Sequence, residues 1–178
     1  MTPDERRRAV TELTESRDRL LALLDRAAQQ GWNAHPSPGA WSPAECAEHV
    51  VLVEEMTIEF VESYAAGHAA HHGLPSLASR DEFIRQAAVN RGEKRTSPPR
   101  ARPTGAWTPP QAIDRFRTVR ATTLAFAEST PLPLRDFRWK HTFFGEIDFY
   151  QTLLFLAGHS LRHARQIEET LARAAHAG

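Results

Sequence analysis

The chain has 178 residues, a length that suits one domain in which roughly 70% of the unfolded surface can be buried. We therefore expect a single domain over residues 1–178. Its 22 basic side chains balance its 22 acidic ones, which excludes the net positive field typical of proteins that bind nucleic acids or anionic membranes. We expect neither nucleic acid nor a membrane as a partner.

The cellular compartment is predicted from the lack of targeting and membrane-spanning segments and from the cysteine content. The N-terminal segment lacks the apolar core of a signal peptide, and no stretch approaches the ~18 apolar residues of a membrane-spanning helix. Cys46 is the only cysteine, so no intramolecular disulfide can form. A single unpaired cysteine fits a reducing environment, and we expect a cytoplasmic protein.

Five segments begin with Ser, Thr or Asp followed three residues later by Glu or Gln, which is the spacing of a helix capping box. The pairs are Thr2 with Glu5, Ser42 with Glu45, Ser79 with Glu82, Thr108 with Gln111, and Asp148 with Gln151. Proline follows three of these caps at the first helical position, where its missing N–H is not needed. The pattern predicts five helix N-termini.

Apolar residues recur at helical spacing after each predicted cap. The predicted helices run from Pro3 to about Gln30, Pro43 to about Ala66, Arg80 to Asn90, Pro109 to Ser129, and Phe149 to about Ala175. Four of them are long, and no period-2 strand pattern is present. The sequence therefore predicts an all-α four-helix bundle.

The connection at about residues 67–108 lies between the second and third long helices and carries the short one. It is long enough to cross the bundle, which allows these two long helices to run parallel. Its residues 91–105 are rich in Pro and charge, and we expect them to be exposed. No aromatic residues alternate with the basic ones, so the segment does not indicate nucleic-acid binding.

Three of the nine histidines fall on helix stripes that should face the core. His159 and His163 are four residues apart, so they share one face of the last helix. His49 lies on the buried stripe of the second long helix. Three converging imidazoles can bind one divalent cation and leave a coordination position open, as catalytic metal sites do. The alternative is that they are hydrogen-bonded core residues.

Other residues could contribute to such a site. Candidates are His141 ahead of the last helix, Glu54, Glu55 and Glu146 as bases, Gln166 as a residue that orients a ligand, and Cys46 as a thiol. Cys46 lies on an apolar stripe, where a small core residue is the ordinary interpretation. The sequence selects no base among the glutamates. We expect His68, His71 and His72 to lie in an exposed loop.

Three motifs follow one another along the chain. They are W-S-P-x-E-x-x-x-H from Trp41 to His49, G-x-I-x-x-x-Q-x-L from Gly145 to Leu153, and H-x-x-x-H-x-x-Q-I from His159 to Ile167. Together they resemble the DinB-like superfamily, including its YfiT-type metal-dependent enzymes. The resemblance covers essentially the whole chain. It implies a four-helix bundle with parallel second and third helices. It also implies a divalent metal ion, most readily zinc or nickel, held by His49, His159 and His163.

The resembled family includes S-transferases and isomerases that use bacillithiol or mycothiol, and metal-dependent hydrolases. The resemblance therefore implies a metal-dependent enzyme, of the thiol S-transferase or hydrolase type, that activates a thiol or water. The expected partner is a small-molecule substrate, with a low-molecular-weight thiol as one candidate. The alternatives are a noncatalytic small-molecule-binding bundle and a pure interaction module. Apolar helix surfaces that remain exposed after the bundle has packed would allow a homodimer. The substrate and the native metal stay open.

Overall fold

The structure, a computed structural model, describes residues 1–92 and 96–176, without the side chains of 175 and 176. The helices are α1 (Pro3–Gln30), α2 (Pro43–Gly67), α3 (Asp81–Val89), α4 (Pro109–Ser129) and α5 (Phe149–His176), and the strands are β1 (Arg138–His141) and β2 (Gly145–Asp148). The four long helices form a bundle, which confirms the predicted fold class. In these residues no helix has the length and apolar character needed to cross a membrane.

The contacts at the two ends of the bundle set the helix directions. α1 and α2 each pack against both α4 and α5. At the end of α1, Trp32 accepts from the Ala44 amide of α2 and donates to the Trp107 carbonyl just before α4. At its start, Arg6 donates to the Thr130 carbonyl just after α4. α2 and α4 therefore begin at the same end and run parallel, as predicted.

The helices begin where their capping residues predict. Both hydrogen bonds of the capping box are present at Thr2 and Ser42, and Asp148 caps α5 in the same way. At Thr108 the backbone amide and the hydroxyl both donate to the side-chain oxygen of Gln111. The predicted box at Ser79 is wrong. Residues 78–80 form a 3₁₀ turn, α3 starts at Asp81, and its cap makes no side-chain hydrogen bond. The predicted partner, Glu82, instead accepts from side chains within α3.

A hairpin that the sequence did not predict precedes α5. β1 and β2 pair antiparallel, with Arg138 opposite Asp148 and His141 opposite Gly145. Four-residue strands are too short to display a clear alternation of apolar and polar residues. Ile147 is fully buried, and Asp148 accepts from the Gln151 amide at 2.8 Å. The hairpin therefore fixes the point at which α5 begins.

The crossover between α2 and α4 is less exposed than predicted. α3 packs against α5, and residues 99–101 form a second 3₁₀ turn that packs against α2. Ala101 at the end of this turn is fully buried. Its small side chain gave no apolar signal in a segment dominated by proline and charge. The prediction of an exposed connection is therefore wrong at Ala101, and this position matters for the candidate site.

Candidate metal centre

The structure brings together the three histidines that the sequence singled out. His49 comes from α2, and His159 and His163 come from successive turns of α5. One ring nitrogen from each lies within 4.8 Å of those from the other two. The ring centroids are 4.6 to 5.1 Å apart. A single small cation can contact all three imidazoles from such an arrangement.

The orientation of His49 is fixed by the crossover. Its Nδ1 lies 2.7 Å from the carbonyl oxygen of Ala101. A carbonyl oxygen only accepts hydrogen bonds, so Nδ1 carries the proton and Nε2 keeps its lone pair. A backbone or carboxylate acceptor on the second ring nitrogen is the usual way in which proteins orient a metal-binding histidine. The sequence gave no signal for this contact.

The two histidines of α5 differ in their surroundings. His163 is buried, its Nδ1 makes no hydrogen bond of normal geometry among the described residues, and the Gln166 side chain one turn on raises its pKa against the effect of burial. A buried polar atom without a full hydrogen bond is costly, and a cation bound at Nδ1 would relieve that cost. His159 keeps partial exposure. His159 is thus the least buried of the three residues, although all three rings are enclosed together.

Burial favours the neutral form of all three imidazoles. It lowers the pKa of His159 and of His163 well below the ordinary histidine value, and both the charge of Arg162 and the repulsion between two protonated histidines act in the same direction. Burial also lowers the pKa of His49, although the hydrogen bond to Ala101 opposes it. Because the neutral imidazole is the metal-binding form, the donor set suits a divalent cation.

Aromatic rings lie on two sides of the cluster. The Trp41 ring is 4.7 Å from His49 and 5.9 Å from His163, and it is nearly parallel to the latter. The Phe155 ring is 5.3 Å from His159. These apolar faces restrict water around the imidazoles. Trp41 belongs to the motif that begins α2, but the sequence gave it no role at the site.

None of the three glutamates considered as bases belongs to the cluster. Glu54 is buried in an ion pair with Arg120 and also accepts from a threonine hydroxyl of α4. Glu55 is exposed, and Glu146 is exposed on the hairpin beside Arg138. Among the described residues, no carboxylate or thiol joins the three histidines.

Cys46 lies one turn before His49 but is a core residue. Its side chain is fully buried in the apolar cluster at this end of the bundle. Burial raises the pKa of the Cys46 thiol far above its usual range, and only the thiolate binds metals or acts as a nucleophile. The core interpretation from the sequence therefore fits the structure.

The remaining candidates lie at different distances from the cluster. Gln166, one turn after His163, accepts from Arg91 at 2.9 Å. His141, the last residue of β1, is buried with its ring 4.8 Å from that of Phe155, and Phe155 in turn contacts His159. The three histidines of residues 68–72 are exposed at the other end of α2. They are not part of the cluster.

The fold and the cluster together define a class, the four-helix bundles with a three-histidine group between two of the long helices. The family model of the DinB superfamily matches residues 12–167, and the chain belongs to this superfamily. A crystal structure described as that of TT2238, a four-helix bundle protein, is similar at 26% identity and a TM-score of 0.52. The similarity covers 92% of this chain and 98% of that one. No curated protein matches the chain.

Proposed function

We propose that the protein is a metal-dependent enzyme of the thiol S-transferase or hydrolase type that acts on a small molecule. The observation that carries the proposal is the convergence of His49, His159 and His163 with one nitrogen each within 4.8 Å. Superfamily membership is compatible with the same activity. Three neutral imidazoles suit zinc and nickel better than calcium or magnesium, which prefer oxygen ligands.

The three histidines would hold the ion, and each neighbour has a separate task. A bound cation would supply Lewis-acid activation of a thiol or water. Ala101 holds the His49 ring in one tautomer, while Trp41 and Phe155 limit the access of bulk water. A small substrate would approach from the side of His159, the least buried of the three residues. Three protein ligands are one fewer than the usual four of zinc, which leaves room for that substrate.

The metal is tested on protein purified without a histidine tag. We expect about one zinc or nickel ion per chain by elemental analysis, since three histidines can form one such site. The variant His159→Ala/His163→Ala should lose it. The matched control His68→Ala/His72→Ala removes two exposed histidines elsewhere and should keep it. Metal-free wild-type protein that is not stabilised by added divalent cations would overturn the proposal.

The reaction is tested separately from the metal. The loaded protein is assayed for conjugation of electrophiles to low-molecular-weight thiols and for hydrolysis of activated esters and amides. We expect turnover that disappears with His159→Ala/His163→Ala. If the metal is present but no reaction in a broad panel depends on it, the protein is a noncatalytic small-molecule binder. The net charge of zero supports the absence of a nucleic-acid partner. Whether the protein forms the homodimer that its sequence allows is tested by analytical ultracentrifugation.

A further inference from the structure

Glu48 is a buried carboxylate immediately before the candidate ligand His49. Only 4% of its surface is exposed, and a buried carboxylate is costly unless hydrogen bonds satisfy it. One of its oxygens accepts from the backbone amides of Thr104 at 3.0 Å and Gly105 at 2.8 Å. The other accepts from the Thr104 hydroxyl at 3.0 Å. Glu48 thus holds one short piece of the crossover.

Thr104 and Gly105, the two residues that donate to Glu48, are close in sequence to the Ala101 carbonyl that orients His49. Thr104 follows Ala101 by three residues, and Ala101 accepts the Nδ1 proton of His49. Two successive residues of α2 therefore contact the same part of the crossover. Gly105 has φ +72°, a left-handed conformation that favours glycine. The backbone is thus shaped to direct its amides at Glu48.

The crossover also contacts α5 near the second half of the cluster. Arg91 donates to Gln166 at 2.9 Å and pairs with Glu169 at 3.0 Å. Gln166 lies one turn after His163. The segment that carries Ala101 is therefore anchored to α5 before it and to α2 after it. A three-residue 3₁₀ turn has few hydrogen bonds of its own, so these anchors and the packing of the turn on α2 together hold the Ala101 carbonyl in place.

We propose that Glu48 is a positioning residue for the metal centre. By holding Thr104 and Gly105, it keeps the Ala101 carbonyl on Nδ1 of His49. It thereby maintains the tautomer whose Nε2 is available to an ion. The part of this inference that concerns metal affinity rests on the proposed function, whereas the part that concerns the His49 tautomer does not.

The test uses two substitutions of Glu48 and two readouts. In Glu48→Ala the crossover loses its acceptor, and we expect the dissociation constant for zinc to rise about tenfold, as for other residues that orient metal ligands. Glu48→Gln keeps one acceptor oxygen for the backbone amides of Thr104 and Gly105, while its NH2 group can donate to the Thr104 hydroxyl oxygen, and it should stay close to wild type. Zinc affinity is measured by competition with a chromophoric chelator. The His49 tautomer is read from the imidazole ¹⁵N resonances of the metal-free protein.

Asp148→Ala is the matched control. Asp148 is also a buried carboxylate that accepts from a backbone amide, and it pairs with Arg135. It caps the N-terminus of α5, 11 residues before His159, which is roughly 16 Å along the helix axis. Its loss should destabilise the fold and leave zinc affinity unchanged in the folded protein. An equal loss of affinity in Asp148→Ala and Glu48→Ala would overturn the proposal.

The two readouts separate the possible failures. If wild-type protein binds no zinc, the proposed function fails, and the tautomer alone decides the role of Glu48. Loss of the Nδ1-protonated form of His49 in Glu48→Ala supports that role, and an unchanged tautomer overturns it. If Glu48→Ala does not fold, Thr104→Ala removes the hydroxyl contact from the exposed side. An about threefold rise in the zinc dissociation constant is then expected from the loss of the hydroxyl that joins Glu48 and the Ala106 amide, and no rise overturns the proposal.

Discussion

The buried ion pair between Arg120 of α4 and Glu54 of α2 gives a strong stability prediction. The two side chains are 0% and 1% exposed, and two atom pairs lie at 2.7 and 2.8 Å. The guanidinium donates its other N–H groups to the Leu13 carbonyl and to the hydroxyls of Ser16 and Ser160. All the N–H donors of the arginine are therefore satisfied.

Arg120→Met should lower the free energy of unfolding by about 3–5 kcal/mol, because Glu54 is left buried without its counter-charge. Arg120→Met/Glu54→Leu should lie within about 1.5 kcal/mol of wild type, since apolar residues of similar volume often replace a buried pair at little cost. The hydroxyls of Ser16, Thr123 and Ser160 keep partners in this variant. Each can also donate to a backbone carbonyl of its own helix.

The assay is urea unfolding followed by circular dichroism in the presence of a chelator, so that metal binding does not contribute to stability. Arg100→Met is the control, since Arg100 pairs with Glu59 while both side chains are mostly exposed. This control should change stability by less than about 1 kcal/mol. The reasoning would be refuted if Arg120→Met lost no more free energy of unfolding than Arg100→Met. It would also be refuted if the double variant were as unstable as Arg120→Met.

Two further substitutions test packing at positions that are not themselves members of the cluster. Tyr150→Phe should keep or raise stability, because the phenol oxygen is buried and no described residue hydrogen-bonds to it. Burial raises the pKa of Tyr150 to about 12, so the folded state holds this proton above pH ~10, where the unfolded chain releases it. The stability of the wild-type protein should therefore fall as pH rises from about 10 to about 12, and Tyr150→Phe should lack this part of the pH dependence. Urea midpoints that change with pH in the same way in both proteins would contradict the prediction. In Gly158→Ala the new Cβ would lie 2.6 Å from that of Ala88 in α3, and we expect a loss of about 1–3 kcal/mol in the same urea assay. Gly67→Ala is the control, because nothing lies within 4 Å of the new Cβ, and it should be neutral or slightly stabilising. Equal changes in stability for the two substitutions would show that α3 and α5 leave space for a methyl group at Gly158.

The helices and the three histidines could be predicted because their signals are local. Pro3, Pro43 and Pro109 stand at helix starts beside capping residues, and these starts agree with the structure. The spacing of His159 and His163 places them on one helix face, whatever the tertiary structure. Helix periodicity also places His49 on a buried stripe.

The hydrogen bonds that orient the cluster could not be predicted, because they join residues far apart in sequence. Glu48 and Thr104 are 56 positions apart, and His49 and Ala101 are 52 apart. In the sequence, Glu48 is an ordinary polar residue of a helix, and Ala101 is a small residue in a charged, proline-rich segment. Only the path of the crossover brings the Ala101 carbonyl to the histidine.

The hydrogen bonds of Arg120 form a polar layer in the bundle core, with Leu13, Ser16, Glu54 and Ser160 as acceptors. Its hydrogen bonds join α4 to α1, α2 and α5, and its acceptor on α5, Ser160, directly follows His159. Apolar packing is non-directional and tolerates small shifts between helices, whereas these hydrogen bonds are satisfied in one register only. The three histidines come from α2 and α5, so their spacing depends on that register. We infer that the polar layer sets the separation of α2 and α5, and that the crossover then sets the ring orientation of His49.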